Sequence, residues 1–234
     1  MQDLFRRDDQ FVYRLLPWLE LDWLEHGFGT RRSESWSGRP ELISLKQIHS
    51  DVSQYADGSL AGRIGEGDAL LTDVTGALVG VRTADCVPIL IVDASKRTVA
   101  AVHAGWRGTA QAVAAKAVGA LAARFGSDPR DMQAAIGPAI GACCYEVGPE
   151  VGSQFRSLFP ESAGREGRAH LDLPEANRRQ LLEAGLPPDQ IHLSGLCTAC
   201  LQAEFFSWRR DRLKHERMVS AIGIRRETQR GREP

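Results

Sequence analysis

The chain has 234 residues, 43% hydrophobic and 25% charged, which is the composition of an ordinary globular protein with material for a substantial core. Its 29 basic and 30 acidic side chains leave a net charge of −1, too weak a field to attract a nucleic-acid backbone. Apolar runs such as 87–92 and 99–102 stop at Asp93 and His103, far short of the ~18 residues that a membrane span needs. Neither a nucleic acid nor a membrane is expected as a partner.

The opening MQDLFRRDDQF mixes acids and bases before any apolar run, unlike the order of a secretory signal, and a cytoplasmic location is expected. Five cysteines are an odd number at low density, so reduced thiols available as ligands or nucleophiles are the default over a disulfide framework. Residues 27–41, rich in Arg, Ser and Gly, read as a loop. Residues 68–72, 77–82, 88–93 and 98–103 are short, β-branched runs between turn residues and read as strands of a buried sheet. From Thr109 as N-cap, Ala110, Val113, Ala114, Ala117, Val118 and Leu121 fall at helical spacing before a stop at Gly126. This predicts one amphipathic helix packed on the sheet. Residues 149–158 and 175–184 read as further helices, 192–196 and 218–224 as further strands, and 227–234 as a frayed tail.

PILIVD, ASKR and TVAAVHA together predict a β-hairpin. If Asp93 pairs with Thr98, Pro88 lies opposite His103 and Cys86 opposite Gly105. Cys86 and His103 are then same-face diagonal neighbours, with α-carbons roughly 7 to 8 Å apart. A thiolate and an imidazole so placed can share a metal ion or a direct hydrogen bond. A buried apolar Cys beside a core His satisfies the same spacing, and a one-residue slip would separate the two. His49, in LKQIHS, becomes a third ligand only if the fold brings it close. Two His and one Cys leave zinc a fourth position for water or substrate, and the same trio can hold copper.

Two glycine-bearing loops follow strands. AGWRGT (104–109) leads into the helix, where Gly105 and Gly108 admit close backbone approach and Arg107 offers a fork of donors to an anion; the same loop is also common as a purely structural joint. IGPAIGACCYEVG (136–148) carries Cys143, Cys144, Tyr145 and Glu146. In an extended segment adjacent thiols point to opposite sides, so one of the two at most is expected to line a site. Cys197 and Cys200 form a lone C-x-x-C; a structural zinc wants a second pair and a redox motif a thioredoxin-like strand before it, which leaves packing as the expected role. WRRD (208–211) reads as a solvated or salt-bridged surface, and His26, His170, His192 and His215 have no partner in local sequence.

Taken together, HGFGTR (26–31), KQIH (46–49), GDALLT (67–72), RTADCVPIL (82–90), AVHAGWRGT (101–109), IGPAIGACCYEVG, CTAC and FFSWRRD (205–211) resemble the YfiH-like family. Its members are also called multicopper polyphenol oxidase or laccase-domain proteins, purine nucleoside phosphorylases and peptidoglycan editing factors. The blocks follow the family's order from about 26 to 224. The resemblance implies an α+β fold over 1–234 as a single domain, with mixed β-sheets layered with flanking helices. It implies that His49, Cys86 and His103 are metal ligands and catalytic, and that Arg31, Arg107 and Cys144 bind substrate in the same pocket. The family usually has a longer segment between its HGF-TR and Q-H blocks, whereas only 14 residues separate Arg31 from Lys46 here.

The resemblance further implies phosphorolysis of adenosine, inosine and methylthioadenosine and deamination of adenosine. Zinc, or copper, would be the metal, a purine nucleoside and phosphate the substrates, and a monomer or homodimer the assembly. Phosphorolysis needs an anion site below a ribose carbon that becomes cationic, for which AGWRG and Arg31 are candidates. Deamination needs a metal-activated water, and Asp85, Glu146 and Asp68 are unranked candidates for an accompanying acid or base. A multicopper oxidase needs more paired His than the six present, none in H-x-H. A cysteine hydrolase with Cys86 as nucleophile and His103 as base, acting on a peptidoglycan precursor, is another reading, and a non-catalytic nucleoside sensor a further one.

Overall fold

The computed structural model describes residues 4–162, 167–212 and 215–226, so the expected tail at 227–234 lies outside the described residues. Seven strands form one mixed sheet in the order β1 (Phe5–Arg7), β2 (Val12–Leu15), β3 (Leu24–Gly29), β15 (Met218–Ile224), β8 (Leu78–Thr83), β4 (Leu42–Lys46) and β6 (Gly62–Glu66). Six form a second, in the order β14 (Ile191–Leu193), β11 (Met132–Ile136), β9 (Val87–Asp93), β10 (Thr98–Ala104), β7 (Ala69–Thr72) and β5 (Ser53–Tyr55). A short ladder joins β12 (Glu146–Val147) to β13 (Ala169–His170).

Side-chain alternation along β9 explains how these layers stack. Ile89 and Ile91 pack with Val113, Ala117 and Leu121 of the helix Val113–Phe125, whereas Leu90 and Val92 pack with Leu24, Phe28, Val79 and Ile222 of the first sheet. The second sheet is therefore apolar on both faces, which is why PILIV reads as an unbroken hydrophobic run. The result is an α+β architecture of two mixed sheets flanked by helices, as the sequence blocks imply.

The β9–β10 hairpin has the predicted register, with Asp93 opposite Thr98 and Pro88 opposite His103. Three other expectations are corrected. Residues 27–41 are not all loop: Gly27 to Gly29 complete β3, which pairs with β15, and Glu34–Ser37 is a short helix. Gly27 is there for space, since a Cβ would stand 2.5 Å from Val12 Cγ1. The helix expected from Thr109 is two helices, Trp106–Ala110 and Val113–Phe125, broken at Ala112 with φ 59°. Thr109 does not cap it; its hydroxyl oxygen accepts from Asn177 Nδ2 at 3.0 Å. The segment at 149–158 is a single helical turn, Pro149–Gly152, followed by a 3-10 turn at Ser153–Phe155. No helix among the described residues is long and apolar enough to cross a membrane.

Candidate metal centre and cavity

Cys86 immediately precedes β9 and His103 lies one residue before the end of β10, so the hairpin register puts both at one end of the second sheet. His49 arrives from the other sheet, in the loop after β4. Its approach is set by Asp68, whose buried carboxylate accepts the backbone N–H groups of Ile48, His49 and Ser50 at 3.2, 3.1 and 2.6 Å and the Ser50 hydroxyl at 2.7 Å. The same carboxylate accepts Nδ1–H of His103 at 2.7 Å, leaving Nε2 of His103 for the site. One carboxylate thus positions both histidines. His49 takes φ 58° and Asp85 φ 84°, so the backbone is in the left-handed region on two of the loops that build the site.

One donor atom each from His49, Cys86 and His103 lies within 4.8 Å of the others, and the two imidazoles meet edge to face at 5.0 Å between centroids. Burial pushes the Cys86 thiol up, but the His103 charge and hydrogen bonds from His103 and His49 outweigh it and bring the thiol down to about 6. Burial pushes His103 down, while the Cys86 thiolate and Asp68 hold it up, to about 9. Asp68 is itself brought down to about 2, its burial outweighed by the His103 and Ser50 hydrogen bonds. Each of the two groups, Cys86 and His103, thus favours the other's charged form. A borderline-soft dication with tetrahedral preference fits this donor set, and the Asp68–His103 contact is the carboxylate support common behind metal-bound histidines. Gly105 allows the trio to close: a Cβ there would stand 3.0 Å from both Cys86 Sγ and His49 Cδ2.

The trio lines a cavity of about 690 Å³, a size that suits a drug-sized ligand. Arg63, Arg82, Arg107, Arg209, Arg212, Arg217 and Lys46 line it, with Trp106, Tyr145, Leu173 and Trp208 as apolar faces. The acid in the lining, Asp85, is engaged by the Thr198 hydroxyl at 2.6 Å, the Ser207 hydroxyl at 3.1 Å and the Arg209 N–H at 2.6 Å. Burial, and then the Cys86 charge, push the Tyr145 phenol up to about 12.

Of the remaining predicted site residues, Arg107 lines the cavity, its guanidinium 4.3 Å from the Trp106 ring centroid. Arg31 is not in the lining: its Nη1–H donates to the Gln202 carbonyl at 2.9 Å and its guanidinium stacks on Phe206. Cys144 is not in the lining either, its sulfur standing 3.4 Å from that of Cys200. Glu146 pairs with Arg168. WRRD, read as surface, supplies Trp208 and Arg209 to the cavity. Nothing local in the sequence marks Asp68 as the support of both histidines, because its partners are backbone amides about 20 residues away in a different loop.

The fold and site define a class of protein. Residues 30–225 match the family model described as multi-copper polyphenol oxidoreductase laccase, and the chain belongs to that family. It is 46% identical to purine nucleoside phosphorylase YlmD of Geobacillus stearothermophilus over 213 residues, 84% of this chain and 78% of the relative. It is 42% identical to adenosine deaminase RL5 of an unknown prokaryotic organism over 161 residues, 66% of this chain and 61% of that one. The crystal structure of YlmD from Geobacillus stearothermophilus superposes with a TM-score of 0.86, covering 96% of this chain and 100% of that one, with 32% identity across this wider span.

Proposed function

We propose that the protein is a zinc-dependent purine nucleoside enzyme that cleaves adenosine, inosine and methylthioadenosine with phosphate and deaminates adenosine. The observation that carries this reading is the His49–Cys86–His103 trio in the wall of a cavity that also carries six arginines and a lysine. The names of the two relatives, a phosphorylase and a deaminase, support it. His49, Cys86 and His103 would hold the zinc, which would supply Lewis-acid polarisation of an oxygen or activation of a water.

The chain's own groups supply the rest. Arg107, Arg82 and Arg209 gather the phosphate, and their donors hold its charge below the ribose. One oxygen of hydrogen phosphate forms a bond to C1′ as the glycosidic bond breaks; the bonding pair leaves with the purine, which takes up the proton that the phosphate gives up. Trp106, Tyr145 and Trp208 offer flat faces for the base. Asp68 moves no proton to substrate in this scheme: it fixes the tautomer and orientation of His103. Deamination uses the same pocket, with water adding at C6 of the purine and ammonia leaving.

A cysteine hydrolase is the second reading, favoured by the lowered Cys86 thiol beside the raised His103. A several-copper oxidase is disfavoured, because among the described residues His49 and His103 alone of the histidines stand in a cluster of possible ligands. Chromatography of products from adenosine, with and without phosphate, on protein of known zinc content tests the proposal. Adenine that forms only with phosphate supports phosphorolysis, and inosine supports deamination. No product from zinc-loaded protein moves the hydrolase reading to the front.

A further inference from the structure

Four of the five cysteines gather at a second place. Cys143 and Cys144 lie in a turn closed by the N–H groups of Cys144 and Tyr145 on the Gly141 carbonyl, and Cys197 and Cys200 in the loop after β14. The expectation that adjacent thiols diverge assumes extended backbone; in this turn both converge. All four sulfurs lie within 4.8 Å of one another, with Cys200 Sγ at 3.6 Å from Cys143 Sγ and 3.4 Å from Cys144 Sγ. A disulfide needs about 2.05 Å, and all four thiols are free. Four thiolates on a tetrahedral zinc at about 2.3 Å stand about 3.8 Å apart. Cys200 stands near that distance from both Cys143 and Cys144, and all four sulfurs lie within 4.8 Å of one another, too tight for an iron–sulfur cluster that binds each cysteine to a different iron.

The surroundings suit a thiolate cage. The Gly141 N–H donates to Cys197 Sγ at 3.3 Å. The Arg210 guanidinium, also paired with Asp211, donates to the carbonyls of Thr198 and Ala199 at 2.9 Å each, inside the C-x-x-C turn. This fixes the turn and sets a positive charge beside a site of net charge −2.

We propose that Cys143, Cys144, Cys197 and Cys200 bind one zinc ion, distinct from the His49–Cys86–His103 centre, and that this ion clasps two loops of the cavity wall. Binding converts four thiols to thiolates and releases four protons to solvent. Ile140 and Tyr145 flank the first pair, Trp208 and Arg209 follow the second, and all four line the cavity. The ion holds these walls together without touching substrate.

Cobalt(II) titration of the metal-free full chain tests this. The wild type is expected to bind two equivalents, one with the intense sulfur charge-transfer bands of a tetrathiolate. Cys143→Ser with Cys200→Ser loses one equivalent and most of that intensity. His103→Ala, which keeps all four thiols, retains the tetrathiolate spectrum and guards against a double variant that fails to fold. In the zinc-loaded wild type these four thiols resist a thiol reagent. A wild type without the tetrathiolate bands, a His103→Ala chain without them, or four thiols that react freely in zinc-loaded protein would overturn the proposal, whatever the trio binds and whatever the protein does to nucleosides.

Discussion

Asp68 and His103 are joined inside the protein, Oδ1 to Nδ1 at 2.7 Å, and the same carboxylate holds the loop that carries His49. Asp68→Asn can accept fewer of these bonds and removes the charge that favours His103 in its ligating orientation. Zinc affinity at the trio is expected to fall about 10- to 100-fold, read by competition with a chelating dye, with turnover at saturating zinc reduced. Unchanged affinity would show that His103 is held by packing alone.

Cys86→Ala and His103→Ala are each expected to lose one equivalent of zinc and the nucleoside activity while keeping wild-type circular dichroism. Zinc stoichiometry equal to that of the wild type in either variant would sink the ligand assignment.

Much of this site was legible in the sequence because β9 and β10 have period-2 side chains and a short connection, so one pairing places Cys86 and His103 together. The contribution of His49 was legible only through the family resemblance and not from spacing, since it depends on Asp68 reaching across between sheets. The strand at Gly27 to Gly29 was hidden by its composition: the glycines answer to neighbours, Val12 and Ser33, that local sequence does not reveal. The break at Ala112 has the same origin, as no residue there signals a left-handed turn. The convergence of Cys143 and Cys144 was not legible either, because facing depends on backbone conformation and their segment is a turn.

Gly105→Ala places a methyl 3.0 Å from Cys86 Sγ and His49 Cδ2, while Gly105 itself has an ordinary φ of −73°. The backbone tolerates the change, and the ligands must shift by a few tenths of an ångström. Metal affinity at the trio is expected to drop several-fold with little loss of metal-free stability. A variant with wild-type affinity and activity would show that the ligands have room to spare.

His49 holds φ 58°, a conformation that costs a residue with a Cβ about 1 kcal/mol and that Asn accepts more readily. His49→Asn is expected to make the metal-free chain as stable as the wild type or up to about 1 kcal/mol more stable, in urea denaturation, while it loses metal at the trio. A clear loss of metal-free stability would mean that the ring contributes more by packing on His103 than its backbone costs.

His26 is buried, with Nε2 accepting the Leu15 N–H at 3.0 Å. Burial first, and then the Arg14 charge, push it down to about 3. The unfolded chain takes up this proton below its ordinary value near 6.5, whereas the folded chain stays neutral until about 3. Stability from this residue is therefore complete above about pH 6.5 and is lost as pH falls, by about 1.4 kcal/mol per unit. His26→Gln keeps an acceptor for Leu15 and has nothing to titrate. Between pH 7 and pH 5 the wild type should lose about 2 kcal/mol more than His26→Gln in urea denaturation. Equal losses in the two proteins would show that His26 protonates in the folded state without penalty.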